Sequence, residues 1–278
     1  MTIYSSYTYN QGGLGDFIRS LFAFFVYCKE NNIDHQLYIP DHPLNKCFVC
    51  ITNKLDFPIK NFVDTDRRCD TKLVVEELEK CKNMDYNVIV RSNKFDFVSF
   101  DKLKNYANQF KTSLQLSDIV KQRIINLKNE INNCDYTVIH IRCGDKFMEC
   151  NSQCTDDDIR VNPNSNVLYN KLEKIIEFLK TNYDLPICIF TDVQSLKNNL
   201  CNHFKSLGFN TEIHHTASTS DKDNAFIDSV AEFELLGQAK AIVTMSNTGF
   251  SFWSAFINNV PLFFYDNVDV VKFTNLIY

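Results

Sequence analysis

The stretch VIHIRCGDKF, residues 138–147, begins as an apolar strand and ends in polar and charged side chains. Its apolar residues are typical of a strand that is buried on both faces: Val138, Ile139 and Ile141. His140 and Arg142 are two positions apart, so they point to the same side of such a strand. Open α/β sheets bind ligands at the carboxyl ends of parallel strands, so the pattern predicts a ligand site there.

The residues after this strand leave two interpretations open. Gly144 permits a sharp turn, and Asp145 can hold that turn by accepting hydrogen bonds from backbone N–H groups. In the functional interpretation, Arg142 is a planar, permanently charged donor suited to bidentate contact with a phosphate. In the structural interpretation, Arg142 and Asp145 pair to close a turn beside a hydrogen-bonded core histidine.

Strands and helices alternate along most of the chain. The predicted strands are at residues 2–9, 35–40, 87–92, 135–142, 185–193, 211–214, 241–245 and 261–265. The predicted helices are at residues 17–31, 117–132, 166–183, 195–208, 227–238 and 250–258. This order predicts an α/β protein with mostly parallel sheets covered by helices on both faces. The second half is more regular than the first, which indicates two lobes, residues 1–134 and 135–278, facing across a cleft.

Composition limits the classes of function. The chain has 278 residues, is 45% hydrophobic and carries a formal net charge of −5, which argues against a broad nucleic-acid surface. The apolar run at residues 21–28 is far shorter than the ~20 residues needed to cross a bilayer. Because no export signal is visible, we expect a cytoplasmic protein whose 11 cysteines are reduced thiols.

Metal binding is considered at two kinds of position. Cys47 and Cys50 have the spacing of zinc ligands, and Cys150 and Cys154 form a second, looser pair, but neither has a matching partner pair nearby. The acidic run at residues 156–158 could instead belong to a metal-dependent transferase of another fold. We favour ordinary thiols and a solvated loop or helix cap, and predict no metal site.

A second polar segment follows the predicted strand at residues 241–245. Ser246, Asn247 and Thr248 are residues that cap helices, and a helix N-terminus offers free N–H groups to an anion. Simple capping is the alternative.

A glycine-rich turn, QGGLGD at residues 11–16, opens the first helix, and its glycines let the backbone approach a ligand closely. The turn lacks the spacing of a dinucleotide fingerprint or of a phosphate-binding GK[ST] loop. Asp16 and Arg19 fall in the first helical turn, near the cleft if the lobes face each other. An N-cap role for Asp16 is the alternative.

Three segments together, in this order, resemble a known family. They are GGLGDFIRSLFAF (12–24), HIRCGD (140–145) and EFELLGQAKAIVTMSNTGFSFWSAF (232–256), and they resemble fucosyltransferases with an HxRxGD motif. The resemblance points to the α-1,2-fucosyltransferase branch, with kinship to protein O-fucosyltransferases. It implies a GT-B-like fold of two Rossmann-like lobes, in which residues 1–134 serve the acceptor and residues 135–278 bind the nucleotide sugar. It further implies fucosyl transfer from GDP-fucose to a glycan hydroxyl, with inversion and without a metal or other cofactor.

The resemblance also implies roles for individual residues. Arg142 would hold the donor diphosphate and stabilise charge on the leaving group, and His140 would shape the donor pocket. Asp192 would lie near the nucleotide, because IFTDV resembles a family segment that contains Phe-Ser-Asp. The remaining donor-binding positions come from the two turn motifs: Gly12, Gly13, Gly15, Ser246, Asn247, Thr248 and Phe250. From its place after the glycine turn, we predict that Asp16 deprotonates or orients the acceptor hydroxyl.

Four positions depart from the family pattern, and they keep alternatives open. Asp16 stands where the family has Asn, Cys143 stands where a second Arg is common, and Gly249 and Phe252 change the last motif. One alternative is the same fold using another nucleotide sugar such as UDP-xylose. Another is a nucleotide- or glycan-binding protein without catalysis, which the unusual residue at position 16 favours.

Overall fold

The computed structural model describes most, but not all, of the chain. The described residues are 1–7, 13–40, 42–49, 51–52, 55, 61–65, 71–83, 87–142, 166–192, 199–200, 202–203, 206, 211–213, 222–245, 248–265 and 269–272. The chain divides into two compact units. The first is Met1–Ile119 with Phe256–Asn258, and the second is Val120–Ala255 with Asn259–Tyr278. The lobe boundary predicted between residues 134 and 135 stays a prediction.

The first unit contains a four-stranded parallel sheet. Its elements, in chain order, are β1 (Thr2–Ser5), α1 (Leu14–Asn31), β2 (Asp34–Leu37), a 3₁₀ turn (Pro43–Lys46), β3 (Asn61–Thr65), α2 (Thr71–Asn83), β4 (Val88–Ser92) and α3 (Phe100–Ser113). The strand order is β2-β1-β4-β3, and every pair is parallel. β2 is therefore an edge strand, and β1 leads directly from the centre of the sheet into α1.

Helix α1 is the centre of the first unit. Thirteen of its eighteen residues are buried, because the apolar run that begins at Leu21 leaves almost no polar face. One side packs on the sheet, where Phe24 joins a core with Ile3 of β1. The other side packs on α3, where the rings of Phe22 and Phe110 stack with centroids 4.3 Å apart. No helix among the described residues combines the length and the apolarity that a bilayer crossing requires.

The second unit contains a six-stranded sheet, and two of its helices, α4 and α7, have their first two and last three residues, respectively, in the first unit. Its elements are α4 (Asp118–Glu130), β5 (Thr137–Ile141), α5 (Asn166–Tyr183), β6 (Ile187–Thr191), β7 (Thr211–Ile213), α6 (Lys222–Leu236), β8 (Ile242–Thr244), α7 (Gly249–Asn258), β9 (Leu262–Tyr265) and β10 (Val270–Lys272). The strand order is β10-β9-β8-β5-β6-β7, and only β10 runs antiparallel to its neighbour. β5, the strand of the opening motif, lies at the centre.

The position of β5 explains its sequence. All five of its residues are buried, as expected for a strand covered on both faces. Ile139 and Ile141 point toward α5 and share one core with it. His140 points to the opposite face, where its ring lies 5.7 Å from the ring of Phe250 in α7. The alternation along β5 therefore delivers the imidazole to the side of the sheet where α7 begins.

The predicted alternation of strands and helices, and the parallel sheets, are confirmed. Four elements were missed: β3, α2, α3 and β10. The strand predicted at residues 2–9 ends at Ser5 in the described part, and residues 8 and 9 lie outside it. Most of the helix predicted at residues 195–208 also lies outside the described residues.

Candidate functional site

Adjacent strands bring Arg142 and Asp192 together in the second unit. β5 and β6 are parallel, with Ile141 opposite Thr191, so the residues that follow each strand are neighbours. Nη1 of Arg142 lies 2.7 Å from Oδ2 of Asp192, and the two side chains are 38% and 21% exposed. The carboxylate holds the guanidinium at the strand ends while leaving it accessible. Asp145, the partner that the structural interpretation suggested, lies outside the described residues.

The end of β8 adds a hydroxyl to the same edge of the sheet. Thr248 precedes α7, and its Oγ1 accepts a hydrogen bond from the backbone N–H of Ser251 at 3.4 Å. The same Oγ1 lies 3.0 Å from Oγ of Ser251 and 3.4 Å from Nδ1 of His140. Thr248 thus caps the helix, as the capping alternative suggested, and also contacts the predicted donor pocket. Ser246 and Asn247 lie outside the described residues.

His140 is an uncharged wall of this site. Its side chain is buried, and burial is the main reason that its pKa falls from 6.5 to about 4. Arg142 also lowers this pKa, whereas Asp192 opposes the shift. At neutral pH the imidazole can therefore donate one hydrogen bond and accept another, but it does not neutralise an anion.

We expect the buried neutral form of His140 to make stability depend on pH. Its folded pKa lies below the unfolded value, so the unfolded chain binds the proton first as the pH falls. The stabilisation is complete above about pH 6.5 and is lost toward pH 4, by about 3 kcal/mol at most. Urea unfolding from pH 7.5 to pH 4 should therefore show a shallower loss of stability in His140→Gln than in the unmodified chain.

Two other histidines also make the stability of both chains depend on pH. Burial also lowers the pKa values of His35 and His42 to about 4, so both chains will lose stability in acid. The difference between the two slopes of unfolding free energy against pH isolates the contribution of His140. That difference corresponds to the uptake of at most one proton. Equal slopes would contradict the assignment of His140 as a buried neutral group.

The glycine turn and Asp16 belong to the first unit. Gly13 is the N-cap of α1, with extended backbone angles of φ −81° and ψ 178°, and its carbonyl accepts hydrogen bonds from Asp16 and Phe17. Asp16 is therefore inside the first helical turn, and the N-cap alternative for it is wrong. Gly15 is buried in the same turn. Gly12 lies outside the described residues.

Asp16 has a fixed neighbour of opposite charge. Its Oδ1 lies 2.9 Å from Nη2 of Arg19, one turn further along α1. The Arg19 guanidinium also lies over the ring of Phe95, with Cζ 5.0 Å from the centroid. The ion pair and the ring contact restrict the rotamers of both charged side chains, and the Asp16 side chain is 27% exposed. A carboxylate held in this way can accept a hydrogen bond from a hydroxyl group.

Two contributors to these arrangements were not predicted from the sequence. Ser251 completes the cap of α7, and its spacing of three residues from Thr248 is the usual signal for such a pair. Phe95 carries no local signal, because it meets Arg19 only through the packing of the first unit.

The described cysteines are free thiols: Cys28, Cys47, Cys81, Cys134 and Cys188. Cys47 is buried, and burial raises the pKa of its thiol to about 12. Among the described residues, no three His, Cys, Asp or Glu side chains form a group that could hold a metal. Cys50, Cys150, Cys154 and residues 156–158 lie outside that part of the chain.

Comparison with known proteins identifies the fold. No protein-family model matches the chain, and no curated protein matches it. Several solved structures do. NodZ α-1,6-fucosyltransferase of Bradyrhizobium, in a crystal soaked with GDP-fucose, aligns over 99% of both chains with 14% identity and a TM-score of 0.64.

Two further structures align over nearly the whole chain. A mutant of Arabidopsis thaliana FUT1 in complex with GDP covers 98% of this chain and 73% of its own, with 10% identity and a TM-score of 0.64. POFUT1 in complex with GDP covers 95% of this chain and 98% of its own, with 13% identity and a TM-score of 0.58. The predicted fold class is confirmed: the chain has the GT-B-like α/β fold of these proteins.

Proposed function

We propose that this protein is an inverting, metal-independent glycosyltransferase that moves L-fucose from GDP-fucose to a hydroxyl group of a glycan. The observation that carries the proposal is the Arg142 guanidinium, which Asp192 holds at the carboxyl end of β5. Three proteins with the same fold, which are named as fucosyltransferases or were solved with GDP, support the choice of donor.

The proposed reaction gives separate roles to the residues that act on the donor and on the acceptor. The acceptor oxygen attacks the anomeric carbon of fucose while the bond to the diphosphate oxygen breaks, and GDP leaves. Arg142 stabilises the negative charge that develops on the diphosphate, which is the larger part of such catalysis. Asp16 takes the proton of the acceptor hydroxyl or orients that hydroxyl. His140 and Phe250 form a wall of the donor pocket, and Thr248 offers its hydroxyl beside them.

A thermal-shift screen tests the donor. GDP, GDP-fucose, UDP and UDP-xylose are compared, because any ligand that binds only the folded state raises the Tm. We expect GDP and GDP-fucose to raise the Tm and the uridine compounds to leave it unchanged. A rise with UDP compounds alone would keep the reaction class and replace the donor.

The non-catalytic alternative has one observation in its favour. Asp16 is paired with Arg19. If the Asp16 carboxylate serves only to hold Arg19 over Phe95, it has no part in activating an acceptor hydroxyl. Mass spectrometry of a glycan library incubated with GDP-fucose separates the two functions. Transfer products, or slow release of free fucose, would exclude a protein that only binds the nucleotide.

We expect added EDTA to leave the rate of fucosyl transfer unchanged. In the proposed reaction a guanidinium, rather than Mg²⁺ or Mn²⁺, stabilises the leaving diphosphate. The measurement compares initial rates with and without an excess of EDTA, followed by added Mg²⁺. A rate that falls with EDTA and recovers with Mg²⁺ would instead support a metal site, for which residues 156–158 are the candidates.

We expect Gly13→Ala to reduce transfer by about tenfold or more without unfolding the protein. The backbone angles at Gly13 suit alanine, and a Cβ built there meets no atom within 4 Å. The free energy of unfolding should therefore change by less than about 1 kcal/mol. A ligand that approaches this backbone closely would meet the new methyl group. The Tm of the variant tests its folding, and kcat/KM tests its transfer activity. An unchanged kcat/KM would show that the glycine turn is not part of the site.

A further inference from the structure

A cavity of about 450 Å³ lies in the first unit, beside the edge strand β2. Its walls come from α1, β2, the end of α3 and three further residues, Val49, Ile51 and Thr52. Cavities of this size hold small ligands in many proteins. None of the described residues of the candidate site lines this cavity.

The floor of the cavity is apolar and rigid. Leu21, Phe25 and Phe110 line it and are themselves almost fully buried, and the two rings meet edge to face with centroids 5.5 Å apart. Val49 also lines the cavity and is 57% exposed, and the charged residues Lys29 and Asp34 are exposed beside it. The floor is therefore preformed, and the apolar surface continues to the solvent.

His35 is a polar side chain in this wall, and within the described residues only one of its two ring nitrogens is hydrogen-bonded. Its Nε2 lies 2.9 Å from Oγ of Ser5, whereas its Nδ1 makes no hydrogen bond to any described residue. Burial lowers the pKa of His35 to about 4, so the ring is neutral. The amide of Gln36, by contrast, is occupied at both ends, by Asp34 and by Thr52, each at 2.7 Å.

The charges around the cavity select against ions. Lys29 and Asp34 both line it, and their opposite charges shift the pKa of His35 in opposite directions. A ligand with a net charge would be attracted by one and repelled by the other, and its charge would have to leave water. A bare sugar is also disfavoured, because the Gln36 amide is already paired and Lys29 lies over the face of Phe25, with Nζ 5.5 Å from the centroid.

We propose that this cavity binds a small uncharged molecule with an apolar body and one hydrogen-bonding group. The body lies on Leu21, Phe25 and Phe110, and the polar group meets Nδ1 of His35. This site is additional to the fucosyl transfer proposed above and does not depend on it.

The test keeps the ring of the probe constant and varies its charge. Benzyl alcohol, benzoate and benzylamine are titrated into the intact protein, with L-fucose as the sugar, and binding is followed by ligand-observed NMR. We expect benzyl alcohol to bind in the millimolar range, and the two ions to bind about tenfold more weakly because their charges must be desolvated. L-fucose should not bind this cavity.

Two surface variants locate the binding. Val49→Trp places an indole across the mouth and should abolish the binding of benzyl alcohol. Leu73→Trp is the matched control, because Leu73 is 53% exposed on α2 and does not line the cavity. Its binding of benzyl alcohol should equal that of the unmodified chain, and the Tm of each variant checks its folding. Absence of binding, binding that survives Val49→Trp, or equal binding of benzoate would overturn the proposal.

Discussion

Arg142→Ala should abolish the rise in Tm that GDP-fucose produces and lower kcat by about 10²–10³-fold. The guanidinium is a fixed, permanently charged donor at a strand end, and alanine leaves nothing in its place to meet the diphosphate. The loss should exceed that of other pocket variants, because the negative charge on the leaving group grows as the reaction proceeds. Thermal shift measures donor binding, and release of GDP measures turnover.

Arg123→Ala is the matched control for this variant. Arg123 is also in the second unit and also pairs with an aspartate, with its Nε 2.5 Å from Oδ1 of Asp228, but no role at the site is assigned to it. We expect it to retain both the GDP-fucose shift and turnover. Arg142→Lys keeps the charge without the planar fork and should recover part of the activity. A GDP-induced shift that persists in Arg142→Ala would refute the diphosphate role.

The elements predicted best from the sequence were those with strong periodicity. Helix α5 has the predicted bounds of residues 166–183, because its apolar residues recur on one face over five turns. Helix α3 carried the same signal in weaker form, with buried positions at Leu103, Ala107 and Phe110 and a cap at Ser99. This helix is therefore predictable from the sequence. β3 could not, because NFVDT mixes apolar, polar and charged residues over five positions and is short.

The candidate site shows where sequence reasoning stops. The strand end at Arg142 was predicted from local alternation, since β5 needs nothing but its own residues to be recognised. Its partner Asp192 is fifty positions away, and the two meet only because β6 lies beside β5 in the sheet. Strand order is set by the packing of the whole unit. The local sequence pattern therefore predicts Asp145, rather than Asp192, as the partner of Arg142. The contact between His140 and Thr248 depends on the neighbouring position of β8 in the same way.

Asp16→Asn is the second variant for which we expect a large effect, a fall in kcat of about 10²–10⁴-fold. The amide keeps the shape of the carboxylate and can still accept a hydrogen bond, but it cannot take a proton from the acceptor hydroxyl. Donor binding should survive, because no contact to the diphosphate is assigned to Asp16. The Tm shift with GDP-fucose should therefore match that of the unmodified chain while transfer is lost.

Stability must be separated from catalysis in this variant. The substitution removes a negative charge from the first turn of α1 and from Arg19, which should cost about 1 kcal/mol of unfolding free energy. Asp228→Asn removes an equivalent charge from the pair with Arg123 and provides the control for such a loss. If Asp16→Asn and Asp228→Asn both lose stability but only the first loses transfer, Asp16 acts on the acceptor. If both retain transfer, Asp16 serves only to hold Arg19 over Phe95, and another group must receive the proton.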